Sequence, residues 1–233
     1  MSDGDKQYFI VGLGTFGMSL AQALTEKEAQ VLAIDVKEEK VEEATSLGIN
    51  AVVADATEEK ILRKLGLADF NVGVVAIGEN IEASILTTLL LKDFGISHII
   101  VKSISAHHSR IAAKVGADRV IYPEEDMARK LADTLLSPSI IEEIELSRDY
   151  SLVEIVAPKS FYNKTLVESK LKENFNLTLL AIKRKEAVIS DDGSTDIKED
   201  MIVSPDSRET ISEGDIMLVI GKETDIQKLQ TLK

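Results

Sequence analysis

The sequence predicts an α/β chain, a doubly wound parallel sheet followed by a smaller α+β domain. Over residues 1–122, short apolar runs alternate with amphipathic helical stretches. The first apolar run ends in a Gly12-x-Gly14-x-x-Gly17 turn. From Tyr150 the rhythm changes to closely spaced strands with few helices. Continuous apolar strands separated by helices are strands of a parallel sheet covered on both faces.

The glycine turn organises the first half. Lys6 to Val11 reads as a buried strand, and Gly17, Leu20, Ala21 and Leu24 form the stripe of a helix packed on it. Gly12 permits the tight turn, Gly14 lets backbone approach a phosphate, and Gly17 lets helix and strand close up. The helix N-terminus then offers N–H groups and a positive dipole end to an anion. Val31 to Ile34 is a second strand, followed at once by Asp35, an acid placed to accept ribose hydroxyls. The lesser alternative for Asp35 is a cap for the next helix, Glu38 to Leu47. Ala51 to Ala54 is a third strand, after which Thr57 is expected to cap a helix over Glu58 to Leu65. Val72 to Ile77, Ile99 to Val101 and Arg119 to Tyr122 complete six strands. Helices over Ile81 to Phe94 and Ala106 to Val115 lie between them. Ligands of such Rossmann-like sheets sit beyond the carboxyl ends of the strands. That edge collects Gly12 to Gly17, Asp35, Asp55, Ile77-Gly78 and Lys102. The helix Ile81 to Phe94 has more apolar positions than one sheet-facing stripe needs, which predicts subunit association.

A helix from Met127 to Leu136, capped by Pro123 to Asp126, and a second from Pro138 to Glu145 read as a connector. Beyond it, strands are expected at Leu152 to Val156, Thr178 to Lys183, Ala187 to Ile189, Met201 to Val203 and Ile216 to Ile220. Helices are expected at Leu166 to Phe175 and Ile226 to Leu232, and Ser190 to Asp200 as a long hairpin loop.

Composition excludes several classes. The chain has 233 residues, 44% of them hydrophobic, enough for one large or two small domains. It has no cysteine, which removes disulfides and thiolate metal sites. A net charge of −13 argues against general nucleic-acid binding. No apolar run approaches a membrane span, and the first residues do not form a signal peptide. Enzyme chemistry lacks its residues. The positions four beyond the tyrosines are Gly12, Asp126, Glu154 and Leu166, so no Tyr-x-x-x-Lys exists, and no G-x-S-x-G elbow is present. His98, His107 and His108 are read as solvated, with no carboxylate at ligand spacing.

Further stretches carry a family resemblance. They are Ala54-Asp55-Ala56-Thr57-Glu58-Glu59, Val75-Ala76-Ile77-Gly78, Ala83-Ser84-x-Leu86 through Lys92, and Gly116-Ala117-Asp118-Arg119-Val120-Ile121-x-Pro123-Glu124. With the glycine turn, and Gly214-Asp215 before a strand and Gly221, they cover nearly the whole chain. The sequence resembles the RCK regulatory subunits of KtrAB- and TrkAH-type potassium uptake systems. The resemblance implies an RCK N-terminal domain at 1–123, crossover helices at 124–148 and an RCK C-terminal (TrkA_C) domain at 149–233. It implies a regulator, not an enzyme: a homodimer assembling as an octameric ring, cytoplasmic and held at the inner face of the membrane by a KtrB-, KtrD- or TrkH-like subunit. ATP or ADP, alternatively NAD or NADH, would bind the first domain and change the ring's shape.

The nucleotide site so implied comprises Gly12, Leu13, Gly14, Thr15, Phe16, Gly17, Asp35, Val36, Asp55, Ala56, Thr57, Ala76, Ile77, Gly78 and Lys102. The glycines would hold phosphates, Asp35 the ribose, Asp55-Ala56 the adenine, and Lys102 would lie near the phosphates. Glu124 matches an acid that in the family helps bind Mg²⁺ or another cation between subunits. On residues alone it is also a carboxylate favoured by a helix N-terminus. The family's arginine between Gly14 and the phenylalanine is Thr15 here, and a hydroxyl does not replace a guanidinium on a γ-phosphate. In the C-terminal domain Val167, Lys172, Asn174, Leu179 and Pro205 match a cyclic di-AMP cleft, with Lys172 replacing an arginine.

Overall fold

The computed structural model describes residues 6–137, 139–189 and 195–232. The chain divides into two compact units, residues 1–127 and 128–233.

The first unit is a parallel sheet of six strands: β1 (Gln7–Val11), β2 (Gln30–Asp35), β3 (Ala51–Val53), β4 (Val72–Val75), β5 (His98–Lys102) and β6 (Arg119–Ile121). Their order is β3-β2-β1-β4-β5-β6, and every pairing is parallel. The order reverses between β1 and β4, the switch point where such sheets open a crevice. Five helices return the chain: α1 (Thr15–Glu26), α2 (Glu38–Ser46), α3 (Glu59–Lys64), α4 (Ile81–Asp93) and α5 (Ala106–Val115). The sheet separates two apolar clusters. Phe9, Val11, Ile34, Leu62 and Ile99 fill one, and Ile10, Leu13, Ala33, Ile49 and Val74 the other. Each fully buried Ile, Leu or Phe contributes about 1.5–3 kcal/mol, so this two-sided burial fixes the strands' positions.

The helix α6 (Pro123–Leu136) starts at the proline, with Glu124, Glu125 and Asp126 in its first turn, and buries none of its residues. The unit boundary falls inside it, after Met127.

The second unit is a five-stranded antiparallel sheet, ordered β11-β10-β13-β8-β7. Its strands are β7 (Ile140–Ser147), β8 (Tyr150–Val156), β10 (Thr178–Ile189), β11 (Thr195–Val203) and β13 (Ile216–Lys222). A small pair, β9 (Lys164–Thr165) and β12 (Thr210–Ile211), lies apart from it. The helices are α7 (Leu166–Ser169), α8 (Leu171–Phe175) and α9 (Glu223–Gln230). Strands β8 and β13 alternate buried and half-buried residues, so their buried positions face one apolar cluster around Val153, Ile155, Met217 and Val219.

Several elements differ from the expectation. The second connector helix, over Pro138 to Glu145, is instead strand β7, which turns through Arg148-Asp149 and pairs with β8 (Pro138 itself lies outside the described residues). Two register shifts in β7 break its alternation, and Ile140, Ile141, Ile144 and Leu146 then mimic helical spacing. The segment 178–189 is one strand, not two. Its central charges face opposite charges across the ladder, Arg184 opposite Asp200 and Lys185 opposite Glu199, which suits a strand. The hairpin loop expected at Ser190 to Asp200 is strand from Thr195, while 190–194 lie outside the described residues. The helix over Leu166 to Phe175 is cut at Lys170, which adopts a left-handed conformation with φ 48°. Thr57 caps nothing. Its N–H and hydroxyl both donate to Asp55 Oδ1, and α3 begins two residues later.

Candidate functional site

The carboxyl edge of the parallel sheet brings the expected nucleotide residues of the first unit together. Gly12 to Gly17 form the turn from β1 into α1, and Asp35-Val36 end β2. Asp55 to Thr57 follow β3, Ala76 to Gly78 follow β4, and Lys102 ends β5.

The three glycines act differently. Gly12 has φ 95°, a backbone that L side chains rarely adopt, and its N–H donates to Ile34 O at 2.8 Å. A Cβ on Gly17 would stand 1.9 Å from Gly12 O, so this residue sets the approach of α1 to the turn. A Cβ on Gly14 would meet nothing within 4 Å. Gly14 is the N-cap of α1 and has no side chain to offer; the first intrahelical bond runs from Met18 N–H to Gly14 O. The helix start is therefore left without a side-chain acceptor, in open space, at a positive dipole end. At the same edge, α4 and α5 close their own starts, Asn80 accepting from Ala83 N–H and Ser105 from His108 N–H. An anion fits the first helix and is not needed at α4 or α5; α2 and α3 also start without a side-chain cap, so the open space at Gly14 and the acid Asp35 are what set α1 apart.

Asp35 has a role that spacing did not show. Its Oδ2 accepts the Leu13 N–H at 2.6 Å and its Oδ1 the Lys37 N–H at 2.9 Å. The acid thus fixes the glycine turn, and each carboxylate oxygen retains a lone pair for a ribose hydroxyl. Leu13, Ala56 and Ala76 are buried, so they can meet a ligand only through backbone. Thr15 and Val36 are exposed at the rim.

Lys102 and Glu124 meet each other. Lys102 Nζ pairs with Glu124 Oε1 at 2.5 Å, and the lysine side chain is 13% exposed against 67% for the glutamate. The hydrogen bond from Lys102 holds the Glu124 carboxyl below its ordinary range. A Cβ built on Gly78 would be 3.8 Å from Nζ, so the ammonium lies beside the β4–α4 turn. Among the described residues no three His, Asp or Glu side chains gather to hold a metal ion. Among the described residues, Glu124 is therefore not part of such a group.

Of the three histidines read as solvated, His98 and His107 are exposed and His108 is not. It is 1% exposed, and its Nε2 lies 3.0 Å from Ser84 Oγ on α4. Desolvation lowers its pKa. With Ser84, Thr87 and Thr88 on its buried face, α4 leaves Leu86 and Leu89 exposed at 39% and 41%. The apolar surplus that predicted association is present on that outer side.

The residues matched to a second effector lie in the other unit: Val167 on α7, Lys172 and Asn174 on α8, Leu179 on β10 and Pro205 after β11. Val167, Lys172 and Asn174 are exposed, and Leu179 and Pro205 half-buried. A separate groove of about 780 Å³ in that unit, between the end of α6, β7 and α9, includes none of them. Among the described residues no helix is long and apolar enough to cross a membrane.

Comparison with known proteins gives the lineage. The TrkA-N domain family matches residues 8–123. The chain is 40% identical to the Ktr system potassium uptake protein C of Bacillus subtilis over 225 residues, 97% of this chain and 96% of that one. It is 38% identical to the Ktr system potassium uptake protein A of the same organism over 226 residues, again 97% and 96%. Among solved structures, the GsuK RCK domain superposes with a TM-score of 0.53 at 21% identity, covering 99% of this chain and 47% of that one. The GsuK channel bound to NAD gives the same TM-score and identity, over 98% and 38%. At that identity the likeness is one of fold. The near-complete span of the Ktr relatives decides the family: this chain belongs to the Ktr system potassium uptake proteins of the A and C type, with a TrkA-N domain at its N-terminal end.

Proposed function

We propose that this chain is a regulatory subunit of a potassium uptake system, binding an adenine nucleotide at the carboxyl edge of its parallel sheet and changing conformation when the nucleotide binds. The observation that carries the proposal is the uncapped start of α1 at Gly14, with Asp35 on the neighbouring strand. Phosphates would take the N–H groups of the α1 start, Asp35 would accept ribose hydroxyls, and Asp55-Ala56 and Ile77-Gly78 would flank the base. Lys102, beside Gly78, supplies the positive charge of the proposed site. Thr15 supplies no charge, so a third phosphate gains little from this chain and ADP and ATP bind with similar strength. Glu124 could complete a Mg²⁺ site only with oxygens from the nucleotide or from another copy. NAD or NADH is the second reading: Asp35 suits its adenosine ribose equally, and a channel of the same fold is described as bound to NAD.

A binding protein must convert occupancy into shape, and it does so only through different affinities for two states. The stretch 123–138 is the proposed hinge. The exposed Leu86 and Leu89 are the proposed contact for further copies, in a dimer and then an octameric ring beneath a membrane subunit that translocates potassium. In that assembly the chain is cytoplasmic and peripheral. Cyclic di-AMP is proposed as a second effector at Val167, Lys172, Asn174, Leu179 and Pro205. Calorimetry on the purified chain with ADP, ATP and NADH, with and without Mg²⁺, tests the proposal. Saturable ADP and ATP binding of similar strength supports it. Tight NADH binding without a response to ADP moves the chain to the NAD reading, and binding of none of the three overturns both.

A further inference from the structure

We propose that Lys102 is contested, the phosphates of a bound nucleotide and the Glu124 carboxylate competing for one ammonium group, so that nucleotide binding releases the first turn of α6 from the end of β5. The inference rests on the nucleotide reading above and names how that site would signal.

Position is the first argument. Lys102 Nζ lies beside the β4–α4 turn, 3.8 Å from where a Gly78 Cβ would stand. Strand β4 adjoins β1 at the switch point, so the ammonium borders the crevice that receives phosphates. The same ammonium is held by Glu124 at 2.5 Å. Two anionic partners therefore claim one cation.

The balance between them is uneven. Lys102 is largely withdrawn from water, while Glu124 is mostly in it. A freed Glu124 carboxylate is hydrated at once, whereas a largely enclosed ammonium needs an anionic partner. A diphosphate carries more charge than a carboxylate and more acceptor oxygens, so it wins the lysine when bound. In its absence the glutamate is the partner at hand.

Attachment is the third argument. No residue of α6 is buried, and Glu125 and Asp126 beside Glu124 are exposed. Among the described residues of that first turn, the Glu124–Lys102 pair is the side-chain tie to the edge of the sheet. The helix continues past Met127, where the second unit begins. A contact at its first turn is thus placed to report occupancy of the first unit to the segment joining the two.

The test uses the full chain, ADP as probe and EDTA to remove cations, with calorimetry and amide hydrogen exchange read together. Glu124→Gln removes the competitor and keeps the shape, and ADP is expected to bind about 2- to 5-fold more tightly. Lys102→Met is expected to weaken ADP by about tenfold or more, and Glu124→Gln added to it should change nothing further. In the wild type, exchange at amides 126 and 127 should rise when ADP is added. In Glu124→Gln it should be high from the start and respond little. Unchanged or weaker ADP binding by Glu124→Gln overturns the competition. A loss that appears only when Mg²⁺ is present assigns Glu124 to a cation instead and also overturns it. If wild-type protein binds no ADP, the nucleotide reading itself has failed. Exchange in the ligand-free proteins then still shows whether the ion pair holds the turn.

Discussion

In the first unit the groups that matter chemically stand at strand ends, and most of them are backbone. In the second, a side-chain cluster is set into the sheet. Arg184 there donates through Nε and Nη2 to both oxygens of Asp215, at 2.9 and 2.8 Å, and through Nη1 to Glu209. Asp215 is 1% exposed and also accepts the Ser212 N–H. The pair raises the guanidinium's pKa still further, so its charge is permanent. The difference follows from the sheets. Parallel strands buried on both faces leave polar groups nowhere but the edge, whereas an antiparallel sheet with a half-buried face can seat an ion pair on it. The first architecture thus exposes its polar groups at the carboxyl edge, and in the second the Arg184–Asp215 pair stabilises the fold.

The sharpest way to break this contrast is to attack the backbone approach on which the edge depends. Gly17→Ala places a methyl 1.9 Å from Gly12 O, with Ala76 Cβ at 3.2 Å on another side. Neither obstacle is the end of a flexible side chain. The expected cost is about 4 kcal/mol or more, and ADP binding should vanish with the fold of the turn. Chemical denaturation followed by circular dichroism measures it. A stable variant that retains ADP would show that helix and turn can separate without loss, against the reading of the site.

Asp215→Ala is the counterpart in the second unit. It leaves Arg184, 20% exposed, without its bidentate partner. The expected loss is about 2–4 kcal/mol, read as faster hydrogen exchange in β10 and β13. ADP affinity should stay as it is. A change of tenfold would mean that polar order in the second unit is linked to the edge of the first.

What could be read from residues follows the same division. The six parallel strands, their helices and the glycine turn were legible because apolar runs and glycine spacing are local signals. Asp35 was legible as an acid after the second strand, but not as the acceptor that fixes Leu13, because that bond spans 22 positions. The Lys102–Glu124 pair was missed for the same reason: each residue was noted separately, and only the pairing of β5 with β6 brings them together. Strand β7 was misread because its two register shifts gave a strand the spacing of a helix. His108 was misread because its neighbours, His107 and Arg110, are exposed and polar, while the side chain itself turns onto Ser84.

His108 also runs against the contrast, a polar side-chain pair with Ser84 buried between the first turns of α4 and α5. Burial favours its neutral form, so its folded pKa lies below the ordinary value of 6.5. The unfolded chain then binds more protons as pH falls through about 6.5, and the folded state loses stability from there downwards. Thermal unfolding between about pH 7.5 and 5.5 should show this loss in the wild type and a flatter response in His108→Gln. The glutamine variant starts lower, because a hydrogen bond at 3.0 Å to Ser84 is disturbed. Equal slopes in both proteins would mean that the histidine titrates freely and that the α4–α5 contact opens to water.

The smallest effect on stability is expected at Gly14, and it separates binding from folding most cleanly. Gly14 and Gly17 belong to one motif and lie three positions apart, yet a Cβ on Gly14 meets nothing within 4 Å. Its φ of −66° is open to any residue, so Gly14→Ala should change unfolding by about 0.5 kcal/mol or less. The methyl would occupy the open space above the start of α1, where the phosphates are placed. ADP affinity should therefore fall about tenfold or more while the melting temperature holds. An unaltered affinity in a folded variant would put the phosphates elsewhere on the edge, and Lys102 and the β4–α4 turn would then be the place to look.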